Sequence, residues 1–282
     1  MNLDDMLLWY ARKGPLRAAR ASCYRKFCRR NRGRESITTT RYGTTMKLVL
    51  GDSVENRIFV EGVFERGLSE QVCRLAQDHA CFVDVGCNIG YFACLFAKTR
   101  PDAQVYAIDA NPRMVDRTRE NLRMNDARHA EVFHYGVSSG RGTLDFHVPR
   151  RRHSLGSFAG SGRHAHDCDV IKVDVRPLME IIPAEGIRRA VLKIDVEGHE
   201  HHVLSGLSEA DALRFDVMFL EFASEHLRRA GVSESALFEF PWLRHFEVCE
   251  VLSDGGLKPF AYETGQDYSC TLCFLRRPDK AS

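Results

Sequence analysis

No stretch of this 282-residue chain approaches the ~18 consecutive apolar residues that a membrane-spanning helix needs. The N-terminus also lacks an apolar core behind a basic segment, the mark of a secretory signal. Ten cysteines are present without the spacing of a disulfide framework; Cys81, Cys87, Cys94 and Cys249 fall inside strand and helix patterns. These absences predict a cytoplasmic protein whose only membrane association would be peripheral, at the inner face. An aromatic-rich basic stripe and a recognised nucleic-acid motif are both missing, so nucleic acid is not an expected partner. There is no internal repeat and no three-glycine GxGxxG loop.

Hydrophobic residues make up 44% of the chain, enough to bury the core of one α/β domain with an N-terminal extension. The net charge of +2 hides an uneven distribution: residues 1–34 carry ten Lys or Arg against two Asp, leaving 30 basic and 36 acidic residues for the remainder. Leu3, Met6, Leu7, Tyr10, Ala18, Cys23 and Phe27 recur at roughly helical spacing beside Arg17, Arg20, Arg25, Arg29 and Arg30. One or two amphipathic helices interrupted at Gly14-Pro15 are expected. A basic face covering the core is the favoured reading, and a membrane-surface or polyanion contact the other. The expected division is a basic helical extension over 1–56 and a main domain over 57–282, with an acceptor-binding insertion at about 142–175.

The stretch CFVDVGCNIG, Cys81 to Gly90, runs an apolar strand into a carboxylate and then a tight glycine turn. Gly86 lets the backbone turn close to a ligand, and Gly90 lets the following helix pack near the sheet. Two glycines and Asn88 replace the dinucleotide fingerprint. Asp84, leading into the loop, suits a ligand with a cationic amino group better than a pyrophosphate, and S-adenosylmethionine is such a ligand. In the next strand, QVYAIDAN, Asp109 lies about 20 residues on, where an acid takes ribose hydroxyls. The plainer alternative is an ordinary βαβ unit whose Asp and Gly cap a turn.

Strands are predicted at 81–85, 104–109 and 131–137, with helices at about 90–99 and 112–124. GTLDFHV (142–148) and DVIKVDV (169–175) alternate like strands around a loop at 149–168 that is long enough to be functional or disordered. The α/β rhythm then resumes with 190–198, a helix at 200–207, 217–223, a helix near 234–244, and strands around 246–252 and 269–276. The sum is a doubly wound, mostly parallel sheet. In LKIDVEGHE, Lys193, Asp195, Glu197 and His199 fall at a strand's carboxyl end, where such sheets bind ligands. If the strand continued, Asp195 and Glu197 would share a face, raising one pKa toward the range of a general base. Capping of the next helix, with Lys193 paired to one acid, is the alternative.

Together these motifs resemble the FkbM family of S-adenosylmethionine-dependent methyltransferases, of the class I Rossmann-like fold. The resemblance covers about 57–252 and rests on GVFE (62–65), DVGCNIGYF (84–92), YAIDANP (106–112), ENLRMN (120–125), YGVSS (135–139), HSLGSF (153–158), KIDVEGHE (193–200) and LEFA (220–223). Cys87 stands where the family usually has Ala, and Asp109 where Glu is common. The resemblance implies a sheet whose last strand is antiparallel, and O-methylation of a sugar, glycolipid or polyketide-type natural product. It implies that Glu65 helps close the cofactor pocket, that Asp84 and Asn88 contact the methionine end, and that Gly86, Gly90, Asp109, Gly136 and Asp195 also belong to that site. Candidates for the base are Asp195, Glu197 and His153; for the acceptor, His153, Ser154, Ser157, Lys193, His199 and Glu221.

An amide-nitrogen acceptor would use the same carboxylates, and a non-catalytic scaffold would keep the fold alone. A metal is not expected, because no carboxylate-rich oxygen cage is legible. His164, His166 and Cys168 alternate in a loop without a second cluster, and Cys270 and Cys273, three apart in a strand, face opposite sides as packing residues. Oligomeric state leaves no trace in the sequence.

Overall fold

The computed structural model describes residues 2–150, 156–158, 168–183, 187 and 189–278. Helices α1 (Leu3–Lys13) and α2 (Arg17–Arg30) meet at the predicted Gly14-Pro15 break, and Asn2 and Asp5 form a capping box at the start of α1. Leu7, Ala11 and Phe27 bury themselves with Leu50 and Val60, leaving Leu3, Met6 and Trp9 exposed. The chain then forms the antiparallel hairpin β1 (Glu35–Thr39) and β2 (Thr45–Val49), followed by α3 (Ser53–Glu61) and α4 (Arg66–Asp78). The segment before residue 56 is therefore not all helical, and α3 runs across that expected boundary. Among the described residues, no helix is long and apolar enough to cross a membrane.

Alternation of strand and helix follows, through β3 (Cys81–Val85), α5 (Tyr91–Thr99), β4 (Gln104–Asp109), α6 (Pro112–Met124) and β5 (Ala130–His134). Next come β6 (Gly136–Val137), β7 (Gly142–Pro149), β8 (Cys168–Arg176), α7 (Leu178–Ile181), β9 (Ala190–Ile194), α8 (Glu200–Ser205) and α9 (Glu209–Ala212). The chain finishes with β10 (Phe215–Ala223), α10 (Ser224–Ala230), β11 (Phe246–Val251), β12 (Leu257–Pro259) and β13 (Ser269–Arg276).

The main sheet runs β12-β11-β13-β10-β9-β3-β4-β5. The five strands from β10 to β5 are parallel, and β13 inserts antiparallel between β10 and β11. The strand order reverses between β3 and β9, both buried along their whole length, so a crevice opens at their carboxyl ends. Alternate side chains separate two cores: Val83, Val85, Leu192 and Ile194 on one face, and Phe82, Val105, Val191 and Phe219 on the other. Cys270 lies at the edge of the first core and Cys273 in the second, the opposite-face packing expected of residues three apart.

Two predicted elements change. The strand read at 131–137 divides at Tyr135: β5 stays in the main sheet, while β6 leaves to pair with β8, whose other neighbour is β7. The helix read at 234–244 is two short 3₁₀ turns, Glu234–Phe238 and Pro241–His245. Pro241 lacks the N–H that a continuing helix requires and disfavours helical geometry at Phe240.

The N-terminal hairpin is bound to α6 by polar side chains. Arg117 forms a bidentate pair with the buried Glu55 at 2.6 and 2.7 Å, and Asn121 and Asn125 accept the backbone N–H groups of Lys47 and Thr45 at 2.8 Å. Replacing Glu55 by Ala leaves the guanidinium without its partner. Glu55→Ala is expected to lower stability in urea unfolding by on the order of 3 kcal/mol; an unchanged midpoint would show that this attachment is dispensable.

Candidate active site at the switch point

The turn after β3 is shaped by backbone conformation. Gly86 has φ +76°, and a Cβ there would overlap the carbonyl oxygen of Asp195. The β3 and β9 ends thus approach as closely as a residue without a side chain permits. Asn88 is also left-handed, with φ 52°. The turn is anchored on three sides: Gly86 and Cys87 donate to the Ile108 carbonyl, Asn88 N–H donates to Asp109 Oδ2 at 2.8 Å, and Thr118 and Asn121 of α6 donate to the carbonyls of Asn88 and Ile89. Gly90, with φ +76°, faces Thr118 so closely that a Cβ would lie 2.7 Å from its methyl group. It serves helix packing.

Strand register sets Asp84 beside Lys193. The Lys193 ammonium, with its side chain 4% exposed, sits 3.1 Å from Asp195 Oδ2 and 3.6 Å from Asp84 Oδ1, and lies 5.2 Å above the Phe92 ring. Burial alone would lower the Lys193 pKa, but Asp195, Asp84 and Glu65 around it turn the net shift upward. Glu65, left-handed at the start of α4, is pushed up to about 7 by burial and by Asp195.

β9 ends at Ile194, so Asp195 and Glu197 do not continue as a strand. The chain turns instead through Glu197 (φ 54°) and Gly198 (φ +104°), and the buried Glu200 accepts the N–H groups of Val196 and Gly198 at 3.1 Å. Glu200 closes the turn, freeing Glu197 to meet Glu221 at the end of β10 and His226 on α10. His226 Nδ1 is 3.2 Å from Glu197 Oε2 and 3.5 Å from Glu221 Oε2. Burial, then Glu221 and Asp195, raise Glu197 to about 8, and burial with Asp195 raises Glu221 well above its ordinary value.

A cavity of about 260 Å³ occupies the crevice. Of the residues singled out from sequence, its wall contains Glu65, Gly86, Asn88, Asp109, Gly136, Lys193, Asp195, Glu197 and Glu221. Asp84 is fully buried behind Lys193 and bears on the cavity only through it. Ser157 donates to the Glu197 carbonyl at 3.0 Å and so ties its segment to the turn. His199 is placed away from the wall: it bonds Ser138 Oγ at 3.1 Å and stacks on His202, and burial beside His202 lowers it to about 3. Its neutral ring is packing. His153, Ser154, His164 and His166 lie outside the described residues.

Arg57, Phe92, Tyr135, Phe158 and His226 also belong to this neighbourhood, the first four on the cavity wall. Phe92, Tyr135 and Phe158 had a signal, since they stand at the ends of the DVGCNIGYF, YGVSS and HSLGSF matches; Arg57 and His226 lie outside every motif. Nor does the sequence announce a cation cage, yet the fold brings Glu197, Glu221 and His226 within metal-ligand range.

A glycine-turned crevice at the switch point of a mostly parallel sheet, with an acid at the end of the second strand, defines a class I, Rossmann-like methyltransferase. The methyltransferase FkbM domain matches residues 84–251, and the chain belongs to that family, whose methyl donor is S-adenosylmethionine. It is 26% identical to the 2-O-methyltransferase NoeI of Sinorhizobium fredii, over 73% of this chain and 91% of that protein. It is 31% identical to the methyltransferase sdnD of Sordaria araneosa and 32% identical to the hexuronic acid methyltransferase AglP of Haloferax volcanii. Those two matches take in 45% and 48% of this chain and less than two thirds of each relative, 60% and 53%. Among solved structures, the SAM-dependent O-methyltransferase of Thermotoga maritima is 11% identical with a TM-score of 0.42, covering 88% of this chain and 79% of that one.

Asp109 accepts N–H bonds from Asn88 and Asn111 at 2.8 Å, yet burial pushes its carboxyl up to about 7. A proton taken up there would cost acceptor capacity, so affinity for S-adenosylhomocysteine is expected to fall as pH drops from 8 to 6, and Asp109→Asn to flatten the profile; an identical slope in the variant would assign the dependence to another group of the cavity, such as Glu65, which burial also pushes up to about 7.

Proposed function

We propose that this enzyme transfers the methyl group of S-adenosylmethionine to a hydroxyl of a sugar or glycosylated small molecule. The observation that carries the reading is the cavity itself, apolar at one end and crowded with carboxylates at the other. Ala110, Met114, Tyr135 and Val137 offer flat apolar surface for an adenine, and Asp109 stands beside them to accept ribose hydroxyls. The methionine portion would lie along Gly86–Asn88, its ammonium toward Glu65 and its carboxylate toward Arg57. Lys193 holds Asp195 at the wall between the two ends.

The cofactor supplies an electrophilic sulfonium methyl. The protein's part is to hold an acceptor oxygen in line with it and remove that oxygen's proton. Positioning is the larger contribution, since effective molarities reach ~10⁵–10⁸ M, while a base adds ~10²–10⁴-fold. Asp195 and Glu197, both on the cavity wall, are the carboxylates we assign as candidates to take the proton. Two relatives support this reading: NoeI, a 2-O-methyltransferase, for an oxygen acceptor, and AglP, a hexuronic acid methyltransferase, for a sugar-type molecule.

Calorimetric titration with S-adenosylhomocysteine, and NAD as the control, is expected to give binding of the first alone; binding of neither would favour a scaffold. With labelled cofactor and a panel of sugars and glycosides, Asp195→Asn and Glu197→Gln separate the candidates. The variant of the base should lose ~10²–10⁴-fold in kcat, whereas the other should act mainly on KM. Wild-type kcat in both would remove the two carboxylates from proton transfer.

A further inference from the structure

The carboxyl-rich part of the cavity gathers more acidic side chains than basic ones. Glu65, Asp195, Glu197 and Glu221 line the wall with Asp84 behind it, against Lys193 and Arg57. Lys193 is committed to Asp84 and Asp195. Among the described residues, the basic side chain that Glu197 and Glu221 share at ion-pair distance is His226.

Three features of that trio go beyond a cluster of acids. It mixes two carboxylates with an imidazole, contributed by the turn after β9, the end of β10 and helix α10. The donor atoms all lie within 4.8 Å of one another, and Nδ1 of His226 stands 3.2 and 3.5 Å from the two glutamate oxygens. Neighbouring ligands of an octahedral ion with 2.0–2.1 Å bonds are about 3 Å apart, close to the two His226–glutamate distances, and the two glutamates, within 4.8 Å, would draw together to complete one face. Finally, Glu221 Oε2 and His226 Nδ1 are both shielded from solvent and make no hydrogen bond of acceptable geometry. Two such atoms left facing each other cost free energy unless something lies between them.

We propose that Glu197, Glu221 and His226 hold an octahedral divalent cation of the Mg²⁺/Mn²⁺ class, whose open positions take two adjacent oxygens of the acceptor. The proposal rests on the methyltransferase reading for its acceptor, though not for its ligands. Mixed carboxylate and imidazole donors suit Mn²⁺, and carboxylates with open water positions suit Mg²⁺. A vicinal pair of hydroxyls, or a hydroxyl beside a carboxylate, as sugars and uronic acids carry, would chelate such an ion. The acceptor hydroxyl would be acidified by the cation and positioned by a second point of attachment. Glu197 is then a ligand, which leaves Asp195 as the base. The acceptor oxygen gives its proton to Asp195 and an electron pair to the methyl carbon, while the S–C bonding pair returns to sulfur.

The test is titration of the full chain with Mn²⁺, read by loss of the free-ion electron paramagnetic resonance signal, with S-adenosylhomocysteine binding measured in parallel. Wild type is expected to take up a single Mn²⁺. Glu221→Gln and His226→Ala should weaken it at least about tenfold, a loss that even supporting partners of metal ligands produce. Retained S-adenosylhomocysteine binding would show that both variants fold. Glu225→Gln, at an exposed carboxylate paired with Arg229, should leave Mn²⁺ binding unchanged. No uptake by wild type at millimolar Mn²⁺, or equal uptake by His226→Ala, overturns the proposal and leaves His226 as a neighbour of two glutamates with no ion between them. Failure of S-adenosylhomocysteine binding with Mn²⁺ uptake intact would instead overturn the methyltransferase reading and leave the cation site standing.

Discussion

One buried ammonium organises this molecule. Lys193 is held between Asp84 and Asp195 at the point where the two innermost strands end, with its side chain 4% exposed. Asp84 is buried completely and Lys193 almost so; removing Lys193 would strand a carboxyl in the interior, and breaking a buried pair in this way typically costs ~3–5 kcal/mol. The pairing exists because β3 and β9 are adjacent and parallel in a register that sets Asp84 against Lys193. A slip of one residue would turn every side chain of the strand to the opposite face. Sheet order, register and the polarity of the cavity are thus one constraint.

From that point the site is built outward by backbone geometry. Gly86 lets the Asp195 carbonyl approach, Asn88 turns left-handed to donate to Asp109, and Glu197 turns left-handed on the other side of the crevice. Non-glycine residues in this conformation carry strain, of order 1–3 kcal/mol each, that the surroundings must offset. Here the offsets are visible. Glu200 accepts two N–H groups of the 196–198 turn, and Thr118 and Asn121 bind the carbonyls of the 88–89 turn. Both turns are held by the protein's own hydrogen bonds, without a ligand's help, which suits a transfer that depends mainly on alignment.

The extension before the sheet contributes more than a basic surface. Its last helix, α3, brings Arg57 to the cavity, and the residues just after it bring Phe64 and Glu65. The bidentate pair of Glu55 with Arg117 fixes α3 against α6, the helix that also supports the glycine turn. One helix therefore anchors both the extension and the cofactor loop.

Motifs confined to a single turn were legible in the sequence by itself. Two examples are the strand, acid and glycine succession at Cys81–Gly90 and the acid at Asp109, because there the chemistry and the local conformation depend on neighbours a few residues apart. The parallel sheet followed from alternating periodicity, and the helix break at Gly14-Pro15 from covalent restriction. Other features depend on contacts between distant segments. Asp195 and Glu197 do not share a strand face, since β9 ends at Ile194 and Glu200 closes the turn beyond it. His199 has the same motif around it but packs behind Phe158, because α8 begins one residue later and sets its ring away from the crevice. His226 stands outside every motif and reaches Glu197 only because β10 runs parallel to β9 and α10 begins where β10 ends. Residue types and local turns come from the chain's own order; which carboxylates face one another, and across what distance, came only from strand register and helix placement.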